Sequence, residues 1–366
     1  MVTLNKNASF SPSRAYLNRV ATAVPEHECH QSFLDHLEQI LPAHRASRLR
    51  RIAAHAGIER RYSVLPTLIG PADSKAYYRP GQFPSTGQRM ETYREHALGL
   101  AMLALERLAL SSRDKQEVTH LIITSCTGFY APGLDIDLVR HGGFVPSVHR
   151  TLITYMGCYA AISGLRMARD ILRSQPQAKV LMVNLELCSL HLQQEAPMDR
   201  MVSYLLFGDG CAVSLLSCDP EGLELIGFHS MLGLDAIDRM SWMVQDKGFE
   251  MTLDKEVPRL IQRLLDREKD ALFQRVQPSD LGHWAIHPGG RAILDSVQSG
   301  LGICESLMKD SRQVLEDYGN MSSATVMFVL ESILRRSGQQ APASGLSMAF
   351  GPGLTIESME FCSVRT

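Results

Sequence analysis

The chain has 366 residues, enough to bury more than one hydrophobic core. Hydrophobic residues make up 45% and charged residues 21% of it, and the net charge is -2, so the composition is that of a globular protein and gives no general argument for nucleic-acid binding. No apolar run approaches the ~20 residues that a membrane span needs. The polar residues 1–13 lack the apolar core of a signal peptide, so we expect a cytoplasmic location.

The first part of the chain predicts one strand and several helices. Residues 15–24 have the pattern of a strand, which Pro25 ends. Residues 27–30 (His-Glu-Cys-His) lack a second ligand pair at zinc-site spacing, and the 8 cysteines are scattered, so we expect neither a metal site nor a disulfide framework. Residues 31–56 read as helical, 62–87 as an irregular connection and 91–110 as an amphipathic helix.

Two near-continuous apolar runs, at 118–125 and 180–187, are typical of strands buried on both faces. Helical patterns separate the predicted strands along the chain. Strands alternating with helices indicate an α/β layered architecture.

A faint internal repeat divides the chain. Phe-Gly-Asp-Gly (207–210) and Phe-Gly-Pro-Gly (350–353) each lead into a strand-like run. Cys158 and Asn320 each stand just ahead of a long apolar helix, the second predicted over 324–334. The simplest interpretation is two similar halves, residues 1–217 with the cysteine and residues 218–366 with the asparagine.

Cys158 is the candidate nucleophile. It follows an apolar, β-rich run, and the helical spacing of the apolar residues after it predicts a helix beginning at or beside the cysteine. Unpaired N–H groups and the dipole at a helix N-terminus favour the thiolate, which is the reactive form. The alternative is a buried cysteine that only packs, which is the commoner role.

His287 and Asn320 are the candidates that would act with this thiol. His287 follows a short apolar strand in a Pro-Gly-Gly turn, and we expect it to be exposed at the strand end, where α/β proteins bind ligands. Asn320 lies in a polar turn before a helix. An imidazolium would stabilise the thiolate, and both side chains could donate to an oxyanion. The alternatives are a loop histidine with its hydrogen bonds satisfied and a helix N-cap.

Five motifs together resemble the type III polyketide synthases, the chalcone-synthase-like enzymes of the thiolase superfamily. They occur in the family's order and spacing and are Met-Gly-Cys-Tyr-Ala-Ala (156–161), Leu-Phe-Gly-Asp-Gly (206–210), Trp-Ala-Ile-His-Pro-Gly-Gly (284–290), Tyr-Gly-Asn-Met-Ser-Ser (318–323) and Phe-Gly-Pro-Gly (350–353). The resemblance runs from about residue 14 to about residue 360. It implies a thiolase-like αβαβα fold of two similar halves, a homodimer, and acyl-CoA and malonyl-CoA as substrates without an organic cofactor.

The resemblance also implies residue roles. Cys158 would carry the acyl chain, and His287 and Asn320 would promote decarboxylation of malonyl-CoA and hold the thioester oxygens. Phe207 would be the gatekeeper between a CoA tunnel and the cavity; its alternative is a core aromatic residue. The positions implied for coenzyme A are Arg48, Arg51, His55, Gly289 and Ala292. The first three share one helical face, although an arginine run is usually just a solvated surface.

Cavity positions bear on the substrate. Thr127, Ala131 and Cys188 are small where the resemblance places cavity walls, as in bacterial enzymes that accept a long acyl chain. Trp242 replaces the small glycine of plant enzymes and would block a planar aromatic starter, and its segment through Met251 resembles the bacterial enzymes. The resemblance therefore implies a fatty acyl-CoA starter extended by two or three malonyl units, giving an alkylpyrone or an alkylresorcinol.

Ring closure depends on a hydrogen-bond network. Glu186 and Ser322 match positions that the family uses for aldol closure, but the third position holds Cys126, whose thiol is a weaker hydrogen-bond partner than the usual threonine. This favours pyrones slightly. Two other functions stay open from the sequence: a β-ketoacyl synthase that performs one condensation with a carrier-protein substrate, and a non-catalytic binding subunit.

Overall fold

The computed structural model describes residues 13–193, 198–338 and 341–364, and it leaves out the side chains of residues 198–200. Its strands are β1 Tyr16–Ala23, β2 His27–Glu28, β3 Tyr62–Ser63, β4 His120–Ser125, β5 His149–Thr154, β6 Val180–Leu187, β7 Asp209–Ser217, β8 Leu223–Leu232, β9 Met240–Gln245, β10 Gly248–Leu253, β11 Leu281–Ile286, β12 Ser344–Gly351 and β13 Thr355–Ser363. Its α-helices are α1 His30–Asp35, α2 Leu37–Ile40, α3 Ala43–Ala53, α4 Thr86–Arg107, α5 Ser112–Glu117, α6 Leu134–Gly142, α7 Ala160–Ser174, α8 Met198–Leu206, α9 Val257–Leu272, α10 Arg291–Leu301, α11 Lys309–Tyr318 and α12 Thr325–Ser337. None of these helices is both long enough and apolar enough to cross a membrane.

Nine of the described strands pair in the order β11-β12-β13-β8-β1-β7-β6-β4-β5. β1 pairs with β7 from end to end, but it pairs with β8 only through Tyr16 and Leu17. The sheet is therefore held together least strongly between β1 and β8. β4 pairs in parallel with β5 and β6, as β11 does with β12. A separate hairpin, β9 with β10, packs beside the sheet and carries Trp242 and Met251 in register.

Alternating residues of the buried strands point into different hydrophobic cores. In β4, Leu121 and Ile123 pack towards α4 and α6, whereas Ile122 packs towards α7. On the other side, Ala285 of β11 packs in the same central core as α7 and α12, and Trp284 faces α9 and α10. The order is therefore helices, strands, the central helices, strands and helices, which is the predicted αβαβα layering.

The element predictions hold with a few differences. The strand predicted over 180–187 is β6, and the helices predicted near 31–56 are α1, α2 and α3. The helix predicted over 91–110 begins earlier, at Thr86, because the Ser85 hydroxyl accepts from Gln88 N and the Gln88 side chain accepts from Ser85 N.

The two Phe-Gly-x-Gly motifs lead into β7 and β13, as predicted. The helices that follow Cys158 and Asn320, α7 and α12, lie in the same core. The boundary after residue 217 falls in the connection between β7 and β8. We keep the division into two similar halves as a proposal.

Candidate active site

Cys158 lies where the chain turns from β5 into the central helix α7. Gly157 has φ +77°, and a Cβ there would come within 2.4 Å of Pro352 Cδ, so only glycine fits beside the second Phe-Gly-x-Gly turn. Residues 157–159 form one 3₁₀ turn, and α7 begins at Ala160. The prediction of a helix beginning beside the cysteine is confirmed.

The cysteine thiol contacts two groups from the turn before α12. Cys158 Sγ lies 3.7 Å from Ser322 Oγ and 4.0 Å from Asn320 Oδ1. Asn320 is held by its own turn, because Oδ1 accepts from Ser322 N (2.8 Å) and Nδ2 donates to the carbonyl of Gly289 (3.3 Å). An amide nitrogen carries two hydrogens, so Nδ2 can also donate to a substrate oxygen.

His287 follows β11 directly, as predicted, but it is buried, with 1% of its surface exposed, rather than exposed. Its backbone N–H donates to Met348 O (2.8 Å), which fixes the strand end against β12. A Cβ at Gly289 would lie 3.6 Å from both Cδ2 and Nε2 of the imidazole. His287 and Asn320 therefore both adjoin Gly289, and neither imidazole nitrogen has a hydrogen-bond partner among the described residues.

The protonation states differ from the sequence prediction of a thiolate beside an imidazolium. Burial raises the pKa of the Cys158 thiol to about 12, against an opposing hydrogen bond with Ser322. Burial also lowers the pKa of His287 to about 3. Removal from water disfavours the charged form of each group, so these shifts favour a neutral thiol and a neutral imidazole.

A small cavity of about 30 Å³ adjoins the thiol. It contains Cys158 together with six of the predicted cavity residues: Thr127, Cys188, Phe207, Trp242, Met251 and Ser322. Cys126, predicted for the ring-closure network, also lines it, and sequence reasoning missed Tyr204, His191, Gly157 and Pro352, which complete the wall. Most of the lining is apolar or small, as expected for a site that holds an uncharged chain.

Ala131 does not line this cavity, contrary to the expectation that it helps to open it. The loop at 126–133 leaves the cavity wall after Thr127, and Ala131 lies exposed on the surface of the chain. The neighbouring Phe129 is 50% exposed. Within one chain, Ala131 is therefore not part of the wall around Cys158.

The network around Glu186 is also arranged differently from the expectation. Glu186 is fully buried and accepts from Cys126 N (2.9 Å), Thr127 Oγ1 (2.8 Å) and Ser323 Oγ (2.6 Å). Ser323, rather than Ser322, is therefore its serine partner, while Ser322 faces the thiol. Burial raises the pKa of Glu186, and these hydrogen bonds oppose the rise.

A second, larger pocket opens to solvent beside Leu206. Phe207 lines the inner cavity, and the preceding residue, Leu206, lines this outer pocket. All five residues predicted to contact coenzyme A line it: Arg48, Arg51, His55, Gly289 and Ala292. Lys255 and Arg291 add two cations that sequence reasoning missed. Such a cationic mouth suits a ligand that carries phosphates.

His191 is a further residue that the sequence did not single out. Its Nε2–H donates to the carbonyl of Thr127 (2.6 Å), and its Nδ1 accepts from Phe249 N (3.0 Å). Burial lowers the pKa of His191 to about 3, so the ring is neutral and this pattern fixes its tautomer. His191 thus joins the wall at Thr127 to the β9–β10 hairpin.

In the part of the chain that the structure describes, no group of three or more histidine, cysteine, aspartate or glutamate side chains is placed to hold a metal ion. The eight cysteines are all free thiols. The groups that contact Cys158 Sγ are the Ser322 hydroxyl and the Asn320 carboxamide, and the His287 imidazole adjoins the Gly289 that holds this carboxamide.

Two family profiles match nearly the whole chain. Residues 4–220 match the N-terminal domain of the chalcone and stilbene synthases, and residues 235–365 match their C-terminal domain. Among curated proteins, the alpha-pyrone synthesis polyketide synthase-like Pks18 of Mycobacterium tuberculosis is 32% identical over 308 residues, which cover 81% of this chain and 78% of that protein.

Solved structures agree with this assignment. PKS-I of the brown alga Ectocarpus siliculosus matches with a TM-score of 0.86 and 28% identity, covering 98% of this chain and 100% of that one. The C-terminal type III polyketide synthase domain of Steely1 from Dictyostelium matches with a TM-score of 0.85 and 25% identity, covering 96% and 99%. The chain therefore belongs to the chalcone and stilbene synthase family, the type III polyketide synthases, which are acyltransferases that condense acyl-CoA substrates with malonyl-CoA.

Proposed function

We propose that this enzyme loads a long-chain acyl group from coenzyme A onto Cys158 and extends it with two or three malonyl units to an alkylpyrone. The observation that carries the proposal is the apolar cavity beside the thiol together with a cationic outer pocket, which are lined by the consecutive residues Phe207 and Leu206. The outer pocket would hold the nucleotide end of coenzyme A, and the cavity, about 30 Å³ in this structure, would widen to hold the alkyl chain. Each buried methylene would contribute about 0.8 kcal/mol.

The cavity walls favour an alkyl starter over a planar aromatic one. Trp242 places its indole in the wall, and its Nε1–H donates to the carbonyl of Cys126 (2.7 Å), which fixes the ring. Thr127 and Cys188 leave small side chains elsewhere in the lining. A flexible chain can bend around the indole, whereas a rigid aromatic acyl group cannot.

Loading starts from a neutral thiol and a neutral imidazole. As the Cys158 sulfur bonds to the thioester carbonyl, the thiol proton moves to His287, and the carbon–sulfur bond to coenzyme A then breaks. The departing thiolate of coenzyme A takes that proton from His287, which returns the imidazole to its neutral state. The unpartnered ring nitrogens of His287 suit this transient role.

Extension needs stabilisation of an enolate oxygen. Loss of CO₂ from malonyl-CoA leaves its electron pair on the enolate, and N–H groups of His287 and Asn320 would donate to the oxygen on either side of Gly289. The enolate carbon then attacks the Cys158 thioester, forming the carbon–carbon bond as the sulfur leaves. Both donors are neutral. They therefore stabilise the charge that develops on the enolate oxygen without forming an ion pair with the carboxylate of malonyl-CoA beforehand.

Ring closure as a lactone suits the network beneath the cavity. The Glu186 carboxylate accepts hydrogen bonds from Cys126 N, Thr127 Oγ1 and Ser323 Oγ, and Glu186 does not line the cavity. Without a water activated by that carboxylate, an enol oxygen attacking the terminal thioester carbonyl is the simpler route. The relative whose name refers to alpha-pyrone synthesis supports the same outcome.

Product identification tests the proposal. The purified enzyme is incubated with malonyl-CoA and acyl-CoAs of graded chain length, and the products are separated and identified by mass spectrometry. We expect tri- and tetraketide pyrones, with long starters preferred over short and aromatic ones. A product with one added ketide unit would support the alternative, a single condensation of the β-ketoacyl synthase type, and a resorcinol would refute the lactone route.

We also propose that the enzyme works as a homodimer in the cytoplasm. β5 is the end strand of the sheet, and most of its residues are exposed. The adjoining surface carries Phe129, Leu152 and Tyr155, which are 50%, 47% and 37% exposed. An open strand edge beside apolar side chains is a surface that proteins usually cover. In a dimer the loop with Ala131 would approach the partner. Light scattering tests the proposal, because it measures whether the mass in solution is that of one chain or of two.

A further inference from the structure

A polar pocket lies away from the active site, between the C-terminal ends of α7 and α9 and against β8 and β13. Its volume is about 360 Å³. Arg169 and Arg173 from α7 and Arg275 after α9 line it, with Gly227 and Glu360 at its base. α7 has 15 residues, so this pocket is about 22 Å along the helix from its Cys158 end.

The three arginines differ in whether their guanidinium groups have an acidic partner. Arg169 donates to its neighbour Asp170 through Nε (3.0 Å) and Nη2 (2.9 Å). Among the described residues, the Arg173 and Arg275 side chains have no hydrogen bond or ion pair, and Arg173 Nε is buried without a partner. A buried donor left unpaired costs free energy, so the acceptors in the described part of the chain do not saturate the guanidinium group of Arg173.

Two charged groups converge on Gly227. A Cβ at this position would lie 2.9 Å from Glu360 Oε2 and 3.0 Å from Arg275 Nη1, so the absence of a side chain leaves room for both. Burial raises the pKa of Glu360, and Arg275 opposes the rise. Glu360 therefore competes with any bound anion for Arg275.

Helix dipoles explain only part of this arrangement. Arginines are favourable near helix C-termini, and both α7 and α9 end here. An arginine placed for that reason alone would donate to the terminal carbonyls or point into water. Arg173 instead has a buried Nε. Burial lowers the pKa of its guanidinium group most, Arg169 and Arg275 lower this pKa further, and Asp170 and Glu224 oppose the fall.

We propose that this pocket binds a phosphate group, either as the free ion or as a phosphate monoester, at a site separate from the one for coenzyme A. The forked guanidinium group matches the oxygens of phosphate, and two arginines without partners can each offer such a fork. Saturation of the outer pocket by coenzyme A leaves this site open, because the two pockets share no lining residue.

Calorimetric titration of the full chain with inorganic phosphate, at constant ionic strength and with coenzyme A in saturating amount, tests the site. We expect saturable binding that Arg173→Gln and Arg275→Gln each weaken about tenfold, the loss of one charge-assisted hydrogen bond. Glu360→Gln should strengthen binding, because it removes the carboxylate. Arg113→Gln, at a side chain that is 87% exposed and ion-paired to Glu117, is the control and should change nothing.

The source of the phosphate is decided by a parallel titration with glycerol 3-phosphate. Tighter binding than that of inorganic phosphate supports a monoester as the ligand, and equal or weaker binding supports the free ion. No saturable binding of either compound to the wild-type chain overturns the proposal. Unchanged affinity in both arginine variants, each shown by circular dichroism to be folded, overturns it as well.

Discussion

Trp242 Nε1 donates a 2.7 Å hydrogen bond to the backbone carbonyl of Cys126. The bond joins the β9–β10 hairpin to the loop that supplies Thr127 to the cavity wall. The indole also meets Phe249 edge-on, with ring centroids 5.8 Å apart, so its orientation is set from two directions. One residue of the hairpin thereby determines how wide the cavity is beside the thiol.

Replacement of Trp242 should therefore change which starter is accepted. Trp242→Gly removes the indole from the wall, and we expect a higher rate with a planar aromatic acyl-CoA relative to a long alkyl one. Trp242→Phe keeps an aromatic ring but loses the donor to Cys126, and it should keep the alkyl preference. Competition between the two starters in one reaction measures the ratio of products. An unchanged ratio in Trp242→Gly would show that the indole does not limit the starter.

The reactivity of Cys158 should depend on pH as a thiol with a raised pKa requires. Because its pKa is about 12, the thiolate fraction, and hence the alkylation rate with iodoacetamide, should rise about tenfold per pH unit from about pH 7 to about pH 10. The measurement needs a Cys304→Ser background, since Cys304 is exposed and a hydrogen bond with Ser306 lowers its pKa. A rate already independent of pH near neutrality would instead indicate a thiolate–imidazolium pair.

Lys255 should contribute to binding of the nucleotide end of coenzyme A. It lines the outer pocket together with Arg48 and Arg51. Lys255→Ala should raise KM for acyl-CoA about tenfold with little change in kcat, as expected for a lost contact with a phosphate. Acyl thioesters of N-acetylcysteamine carry no phosphate and provide the control. An equal loss with both kinds of substrate would mean that the lysine acts through the fold.

Asn320 should matter for extension more than for loading. Asn320→Ala removes the N–H that would meet the enolate oxygen, and we expect the extension rate to fall about 10²-fold. Asn320→Asp keeps the acceptor for Ser322 N and the side-chain size but replaces the donor with a carboxylate, which repels the enolate, so it should lower the extension rate at least as much. Single-turnover assays that follow loading and CO₂ release separately measure the two steps. Extension at the wild-type rate in Asn320→Ala would remove this residue from the mechanism.

Much of the layering could be predicted from the sequence because buried strands have a strong local signature. The run at 180–187 is apolar throughout and is β6, with every residue buried. The start of α4 was placed too late because Ser85 and Gln88 lie in a segment rich in proline, glycine and serine, where the composition resembles a loop. The capping box of Ser85 and Gln88 fixes the start of α4 only once the rest of the helix is packed in the fold.

The site was predictable where a motif fixes local geometry and not where distant segments meet. Cys158 and Asn320 stand at turns before helices, and that context is visible in the sequence. The burial of His287 and the neutral state of the thiol depend on elements packed from elsewhere in the chain. Ala131 was misplaced within one chain for a similar reason, because a residue's position in a loop does not reveal which way the loop turns.

Loading of Cys158 is the step on which the whole account depends. Intact-protein mass spectrometry after incubation with a long-chain acyl-CoA, without malonyl-CoA, measures it directly. We predict one acyl group on the wild-type chain and on Cys126→Ala and Cys188→Ala, whose thiols line the same cavity, and none on Cys158→Ala. An acyl group that persists on folded Cys158→Ala, or that is missing from the wild-type chain, would contradict the account.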